Sequence, residues 1–139
     1  EDKQTFKVNV LKYLVSEDCG RIINPLIVDG QVHGGVAQGI GVALFEEVNY
    51  DQEGQLTTAN LVDYKIPTAS EIPKIDVFHL ENFLPKNIGK FKGMGEGGTI
   101  GAPAAIANAV ADALSKFHVE INELPITHDK IYNLLKKKL

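Results

Sequence analysis

Apolar residues recur at helical spacing in three segments of the chain. The first covers residues 30–47, where apolar side chains return every three or four positions. The second covers residues 99–117 and has an alanine-rich apolar face, with Pro103 in a position that a first helical turn tolerates. The third follows Thr127, whose hydroxyl suits a helix N-cap. The pattern therefore predicts three helices.

Shorter stretches between these helices have the character of strands and turns. Alternating apolar residues and turn signals predict strands at 6–15, 74–80 and 119–124, a hairpin over 48–60 with its turn at 51–54, and irregular structure at 61–70. Together the elements predict one α+β domain spanning residues 1–139, with about three helices packed against a small mixed sheet.

The first predicted helix has an expected start and an unusual composition. Because Asn24 precedes a proline, residues 21–26 are expected to form a loop, and Asp29 is the expected N-cap. Each glycine inside a helix costs up to about 1 kcal/mol relative to alanine, so their number requires a reason. We expect another backbone, or a bulky ligand, to approach this helix closely. The glycines concerned are Gly34, Gly35, Gly39 and Gly41.

Composition and charge exclude several classes of protein. The 139 residues contain a single cysteine, Cys19, which excludes a disulfide framework, a zinc site built from cysteines and an iron–sulfur cluster held by this chain alone. The net charge of -4 argues against nucleic acid as a partner. No apolar run approaches the roughly 20 residues of a membrane span, and residues 1–4 lack a signal-peptide core. We therefore expect a cytoplasmic location.

A glycine-rich loop at residues 92–99 is the first candidate for chemistry. Gly93, Gly95 and Gly97 allow the backbone to approach a ligand closely, and Glu96 lies between them. From the residues alone, Glu96 is either a general base or a surface acid. A general base must reach a proton within hydrogen-bond distance.

Two glutamines on the glycine-rich helix are the second candidate. Gln31 and Gln38 lie seven positions apart and so share one side of the helix. Their amides suit a polar ligand, but bonds at a helix cap or between helices explain them equally well. We interpret His79, His118 and His128 as structural or surface residues, since none forms a recognisable ligand pattern with Cys19 or an acid.

Four motifs in register connect these candidates to a known family. They are DCGRIINP at 18–25, GQVHGGVAQGIG at 30–41, DYKIPT at 63–68 and KGMGEGG at 92–98. In this order and spacing they resemble the C-terminal end of the molybdenum subunit of the xanthine dehydrogenase, aldehyde oxidase and aerobic carbon monoxide dehydrogenase family. The residues that follow Glu96 are most similar to prokaryotic carbon monoxide or aldehyde dehydrogenase chains. The resemblance covers nearly the whole chain.

The resemblance implies a cofactor and partners for this domain. In the family the large subunit binds molybdenum through molybdopterin, in prokaryotes often as the cytosine dinucleotide, and partner chains carry 2Fe–2S clusters and FAD. The expected partners are the remainder of the molybdenum subunit, an iron–sulfur subunit and an FAD subunit. The expected activity is the oxidation of aldehydes, carbon monoxide or N-heterocycles in the full assembly, with no activity of this chain alone.

The resemblance also implies a role for each candidate residue. Glu96 matches the family's general base, which takes a proton from the oxygen nucleophile that molybdenum activates, and it is not a metal ligand. Gln31 matches a glutamine that lies against the cofactor. Gly93, Gly95 and Gly97 would place their backbone beside the cofactor.

Two other functions remain open from the sequence. A fragment that keeps the fold without catalysis would serve as an assembly or interaction domain, with an exposed apolar face near the glycine-rich helix. An independent nucleotide-binding module is less favoured, because the glycine spacing at 93–98 does not match a dinucleotide fingerprint and no phosphate-loop motif is present.

Overall fold

The computed structural model describes residues 5–83 and 86–136. Its helices and strands confirm the α+β class and the three longer helices. In chain order they are strand β1 (Lys12–Glu17), helix α1 (Pro25–Leu44), strand β2 (Lys74–His79), helices α2 (Gly97–Ile100) and α3 (Ala102–Ala113), a 3₁₀ turn (Ser115–Phe117) and helix α4 (His128–Lys136).

Within the described residues, the sheet consists of the single pair β1 and β2. The two strands run parallel, with Lys12 opposite Lys74 and Glu17 opposite His79. A parallel pair needs a crossover connection, and α1 lies in that connection. The sheet is therefore one parallel pair rather than the predicted mixed sheet.

The hydrophobic core lies where α1 meets α3, α4 and the inner face of the sheet. Apolar side chains of both strands, including Tyr13 and Val77, pack against it. None of the helices in the described ranges combines the length and apolarity that a membrane span requires. The core residues are Val32, Val36, Ile40, Ala43, Leu44, Ile106, Val110, Leu114, Ile126, Ile131 and Leu135.

The start of α1 corrects the sequence prediction. The helix begins at Pro25, so the predicted loop at 21–26 is too long and Asp29 is not the N-cap. Asn24 takes that place, with an extended backbone and its Oδ1 accepting a hydrogen bond from Ile27 N at 3.4 Å. Proline suits the first helical position because its missing N–H would be unpaired there.

The predicted helix at 99–117 is divided into three pieces. It starts earlier than predicted, at Gly97, and is interrupted at Gly101 before α3 begins. Pro103 explains the interruption, because proline cannot donate to the carbonyl four residues earlier and its ring collides with it. The placement of Pro103 in a first turn, that of α3, is confirmed.

The predicted strand at 6–15 is too long, and the predicted strand at 119–124 does not form. Residues 6–11 of the predicted strand 6–15 are not in a strand, and residues 119–124 are irregular. Phe6 and Val119 nevertheless pack against the core, so the apolar alternation marks buried side chains in segments without a strand partner. The hairpin at 48–60 keeps its turn but pairs only at Tyr50 and Leu56.

Candidate functional site

Helices α1 and α2 pack backbone against backbone through glycine. A Cβ added to Gly35 would lie 2.8 Å from Thr99 N, and one added to Gly98 would lie 2.5 Å from Val32 O. A Cβ on Gly39 would collide instead with a side chain, the Cβ of Ala102 at the start of α3. The predicted close approach of another backbone is therefore confirmed at Gly35. As a result, the helix that carries Gln31 lies against the segment that follows Glu96. The predicted approach does not hold at Gly34, where a Cβ would meet no atom within 4 Å, or at Gly41, where the nearest atoms belong to side chains.

Glu96 immediately precedes α2, and its carboxylate has no hydrogen-bond or ion-pair partner among residues 5–83 and 86–136. The residue is exposed, and its side chain makes no capping hydrogen bond although it occupies the N-cap position. Its backbone carbonyl accepts from Thr99 N at 3.1 Å, which closes the first turn of α2. The backbone of Glu96 is thus held by a hydrogen bond, while its carboxylate is exposed to solvent.

The glycines of the loop leave the backbone accessible. A Cβ on Gly93 or Gly95 would meet no atom within 4 Å, and one on Gly97 would make only an ordinary contact of 3.4 Å with Met94 Sδ. The Met94 side chain packs against the core and so holds the middle of the loop in place. A ligand can therefore approach the loop backbone on its outer side.

Gln31 and Gln38 are exposed on the outer side of α1. Neither side chain makes a hydrogen bond to another described residue. The alternative to ligand binding, that these amides form helix-cap or interhelical bonds, therefore has no support within the described residues. Gly30 and Gly34 lie on the same side of the helix with open space where a Cβ would be. The outer side of α1 therefore exposes two side-chain amides together with glycine backbone that no side chain covers.

A cavity of about 270 Å³ is lined by the segment after β1, the beginning of α1 and the start of the loop. Its lining is mainly apolar and includes Cys19, Ile27 and Met94. Cys19 is buried, and burial raises the pKa of its thiol. The cavity adjoins the loop but does not include Glu96.

Two ionic contacts near the loop and α1 were not predicted from the sequence. Lys92 at the start of the loop pairs with Asp18, which is 74 residues earlier in the chain. His79, interpreted from sequence as structural or surface, lies between Glu17 and Asp29. Local spacing carries no signal for contacts at such separations.

Within the part of the chain that is described, no group of three or more His, Cys, Asp or Glu side chains is arranged to hold a metal ion.

A family model described as "Molybdopterin cofactor-binding domain" matches residues 1–73. Among curated proteins, the chain is 47% identical over 135 residues to the nicotine 6-hydroxylase large subunit of Paenarthrobacter nicotinovorans, covering 97% of this chain and 16% of that protein. It is 32% identical over 136 residues to the carbon monoxide dehydrogenase large chain of Hydrogenophaga pseudoflava, covering 98% and 17%.

Solved structures give the same picture. The quinoline 2-oxidoreductase of Pseudomonas putida 86 superposes with a TM-score of 0.95 at 46% identity, over 99% of this chain and 18% of that one. A Cu,Mo-CO dehydrogenase superposes with a TM-score of 0.87 at 30% identity, over 96% and 17%. The chain thus spans about one sixth of the length of the proteins it matches.

Proposed function

This chain belongs to the family of molybdopterin cofactor-binding domains, and from that membership we propose that it forms one wall of the cofactor pocket in a molybdenum hydroxylase large subunit. In this proposal residues 1–139 are a single domain at the C-terminal end of that subunit. The observation that carries the proposal is the glycine-mediated packing of α1 on α2. It brings the elements of Gln31 and Glu96 together while both side chains stay exposed.

The exposed groups fit a pterin chemically. The Gln31 carboxamide has donors and an acceptor for the polar edge of a pterin ring. The open backbone at Gly93, Gly95 and Gly97 admits a large planar group without steric hindrance. When bound, the molybdenum-containing pterin supplies the two-electron redox chemistry of hydroxylation. What this chain contributes is binding and orientation.

Glu96 supplies the proton transfer. Its carboxylate accepts at Oε the proton that the oxygen nucleophile releases as it attacks the substrate carbon. The side chain is suited to this because it has no competing hydrogen bond in the described structure. Because Glu96 occupies the N-cap position of α2, its backbone is fixed, and its side chain extends from a defined position.

We further propose a nitrogen heterocycle as the substrate class. Nicotine and quinoline, which appear in the names of the two relatives of higher identity, are both N-heterocycles, whereas the carbon monoxide dehydrogenases are less similar. We also propose that the pterin has the cytosine dinucleotide form, that the partners are an iron–sulfur subunit with 2Fe–2S clusters and an FAD subunit, and that the protein is cytoplasmic.

The substitution Glu96→Gln in the full-length protein, purified with its partners from the native host, tests this function. Removing a general base lowers turnover by about 10²- to 10⁴-fold, while molybdenum content measured by plasma mass spectrometry should stay unchanged. The matched control is Glu53→Gln, an exposed glutamate in the turn of the hairpin, which should leave turnover unaltered. Turnover of Glu96→Gln within a factor of two of wild type would refute the assigned role.

A second candidate function is a non-catalytic assembly domain. Its support is the 21 large apolar side chains that are exposed among the described residues. Such surface favours association with another chain, but it is expected for a hydroxylase domain as well. Purification without molybdenum, together with stable partner chains, would favour this second function over the first.

A further inference from the structure

The last residue of β1 and the residue after it connect to the two elements of the proposed cofactor wall. Glu17 ends β1 and Asp18 follows it. The Glu17 carboxylate binds His79 of β2, which in turn binds α1, and the Asp18 carboxylate binds the glycine-rich loop directly. These two acids, with the side chains they bind, belong to no role assigned so far.

Asp18 holds the start of the loop by charge. Its Oδ2 accepts a hydrogen bond from Lys92 Nζ at 2.6 Å, and its Oδ1 accepts one from Gly20 N at 2.9 Å. These bonds lower the pKa of Asp18 to about 2, so the carboxylate is ionised at any neutral pH. Lys92 lies four residues before Glu96.

The backbone reinforces the same anchor. Cys19 O accepts from Lys92 N at 2.7 Å, and Lys90 O accepts from Arg21 N at 2.8 Å. Gly20 has a φ of +66°, and a Cβ there would collide with Lys90 O. The Asp18-Cys19-Gly20 motif is therefore a turn shaped to pair with residues 90–92.

Glu17 reaches α1 through an imidazole. His79 Nδ1 lies 2.6 Å from Glu17 Oε1, and His79 Nε2 lies 2.8 Å from Asp29 Oδ1. Asp29 is in α1, two residues before Gln31. The side chains of Glu17 and His79 are 10% and 22% exposed, whereas that of Asp29 is 45% exposed. The bridge therefore ties the early turns of α1 to a largely buried carboxylate at the end of β1.

We propose that Glu17 and Asp18 are positioning residues: Asp18, through Lys92, sets the loop that carries Glu96, and Glu17, through His79 and Asp29, sets the part of α1 that carries Gln31. This inference rests on the proposed function. Two adjacent residues, the last of β1 and the one that follows it, then fix the separation between the general base and the cofactor-binding amide, because both contacts start from the same stretch of backbone.

The test uses five variants of the full-length protein, purified with its partners: two single variants at the loop anchor, their double variant, His79→Gln and one control. Asp18→Asn and Lys92→Met each remove the loop anchor from one side, and the double variant removes both partners. Asp76→Asn is the matched control, since Asp76 also binds lysines, Lys12 and Lys74, but lies in β2 away from the loop. The measurements are hydrogen exchange of residues 92–99 by mass spectrometry, turnover of quinoline and molybdenum content.

The expected result is specific to the loop. Each single variant should speed exchange in residues 92–99 at least tenfold and lower turnover about tenfold with molybdenum retained. The double variant should be no worse than either single one, because the two residues act through one contact. Asp76→Asn should leave the exchange of residues 92–99 and the turnover at their wild-type values. His79→Gln should speed exchange in residues 25–31 in the same selective way.

Two outcomes would overturn the inference. One is unchanged exchange in residues 92–99 of Asp18→Asn and Lys92→Met. The other is an equal increase in exchange over the whole chain, which would make the contact a source of general stability only. Because exchange is read without turnover, this result is independent of whether Glu96→Gln retains activity, which decides the proposed function.

Discussion

Gly34 and Gly35 are adjacent in α1 but have different surroundings. A Cβ at Gly35 would press on the backbone at Thr99 N, whereas a Cβ at Gly34 would meet no atom within 4 Å. Gly35→Ala should therefore lower the free energy of unfolding of residues 1–139 by about 1–3 kcal/mol, as overpacking does. Gly34→Ala should raise it by about 0.5–1 kcal/mol, since alanine favours a helix. Urea denaturation of both variants checks this, and equal effects would contradict the assigned contact.

His79 makes stability depend on pH. Both ring nitrogens face carboxylates that only accept, and only the imidazolium form donates from both. The hydrogen bonds to Asp29 and then Glu17 raise the pKa of His79 above its ordinary value of 6.5. A raised pKa means that the contribution to stability is full below 6.5 and is lost as the pH rises through the folded-state pKa.

The matching prediction concerns His79→Gln. The difference in melting temperature between wild type and this variant should be largest near pH 6 and should shrink steadily toward pH 9. Thermal unfolding in a pH series measures it, with His118→Gln as a control because His118 is exposed. A difference that grows with pH would show that the neutral imidazole is the stabilising form.

The role of the N-cap of helix α4 can be tested by substituting Thr127. Thr127 Oγ1 accepts a hydrogen bond from Lys130 N at 3.3 Å, and Thr127 O accepts from Ile131 N at 3.0 Å. Thr127→Ala removes only the first of these and should lower the free energy of unfolding by about 1 kcal/mol. Thr127→Ser keeps the hydroxyl and should recover most of that loss. If serine and alanine are equally destabilising in denaturant titrations, the hydroxyl is not the cap.

The extent of each element depended on what the sequence encodes locally. The cap at Thr127 and strand β2 were predicted because both follow from local patterns. The start of α1 was missed because the sequence Asn24-Pro25 fits a loop and a capped first turn equally well. The strand predicted at 119–124 failed for another reason, since a strand requires a neighbour and alternation records only which side chains are buried.

The candidate site was accessible to sequence reasoning only where its residues are contiguous. Glu96 and its glycines stand out within seven residues. Gln31 was singled out with Gln38 by their seven-residue spacing on one predicted helix, and the family motifs then implied its role. The anchors Asp18–Lys92 and Glu17–His79 join residues more than 60 positions apart. Such contacts follow from the parallel pairing of β1 with β2 and the return of the chain to Gly20, which no single motif encodes.

The whole molecule exposes more surface than its mass predicts. Its accessible surface is 9652 Å² for 15.1 kDa, whereas a folded monomer of that mass exposes about 7,100 Å². The excess of roughly 2,500 Å² exceeds what one partner contributes to a standard interface, about 800 Å². Large apolar side chains contribute to the exposed surface, among them Ile23, Leu26 and Ile100, each at least three quarters exposed. These residues flank the proposed cofactor wall, at the beginning of α1 and the end of α2.

Covering of this apolar surface should be measurable with a hydrophobic dye. Residues 1–139 alone should bind 1-anilinonaphthalene-8-sulfonate with several-fold higher fluorescence per mole than the full-length protein and should self-associate in light scattering, because patches of this size rarely stay exposed on monomers. Leu26→Lys combined with Ile100→Lys should reduce both signals without lowering the melting temperature, since neither side chain is in the core. Equal dye binding by the two forms would mean that the rest of the protein leaves this surface open, and the proposed wall would then face solvent rather than a pocket.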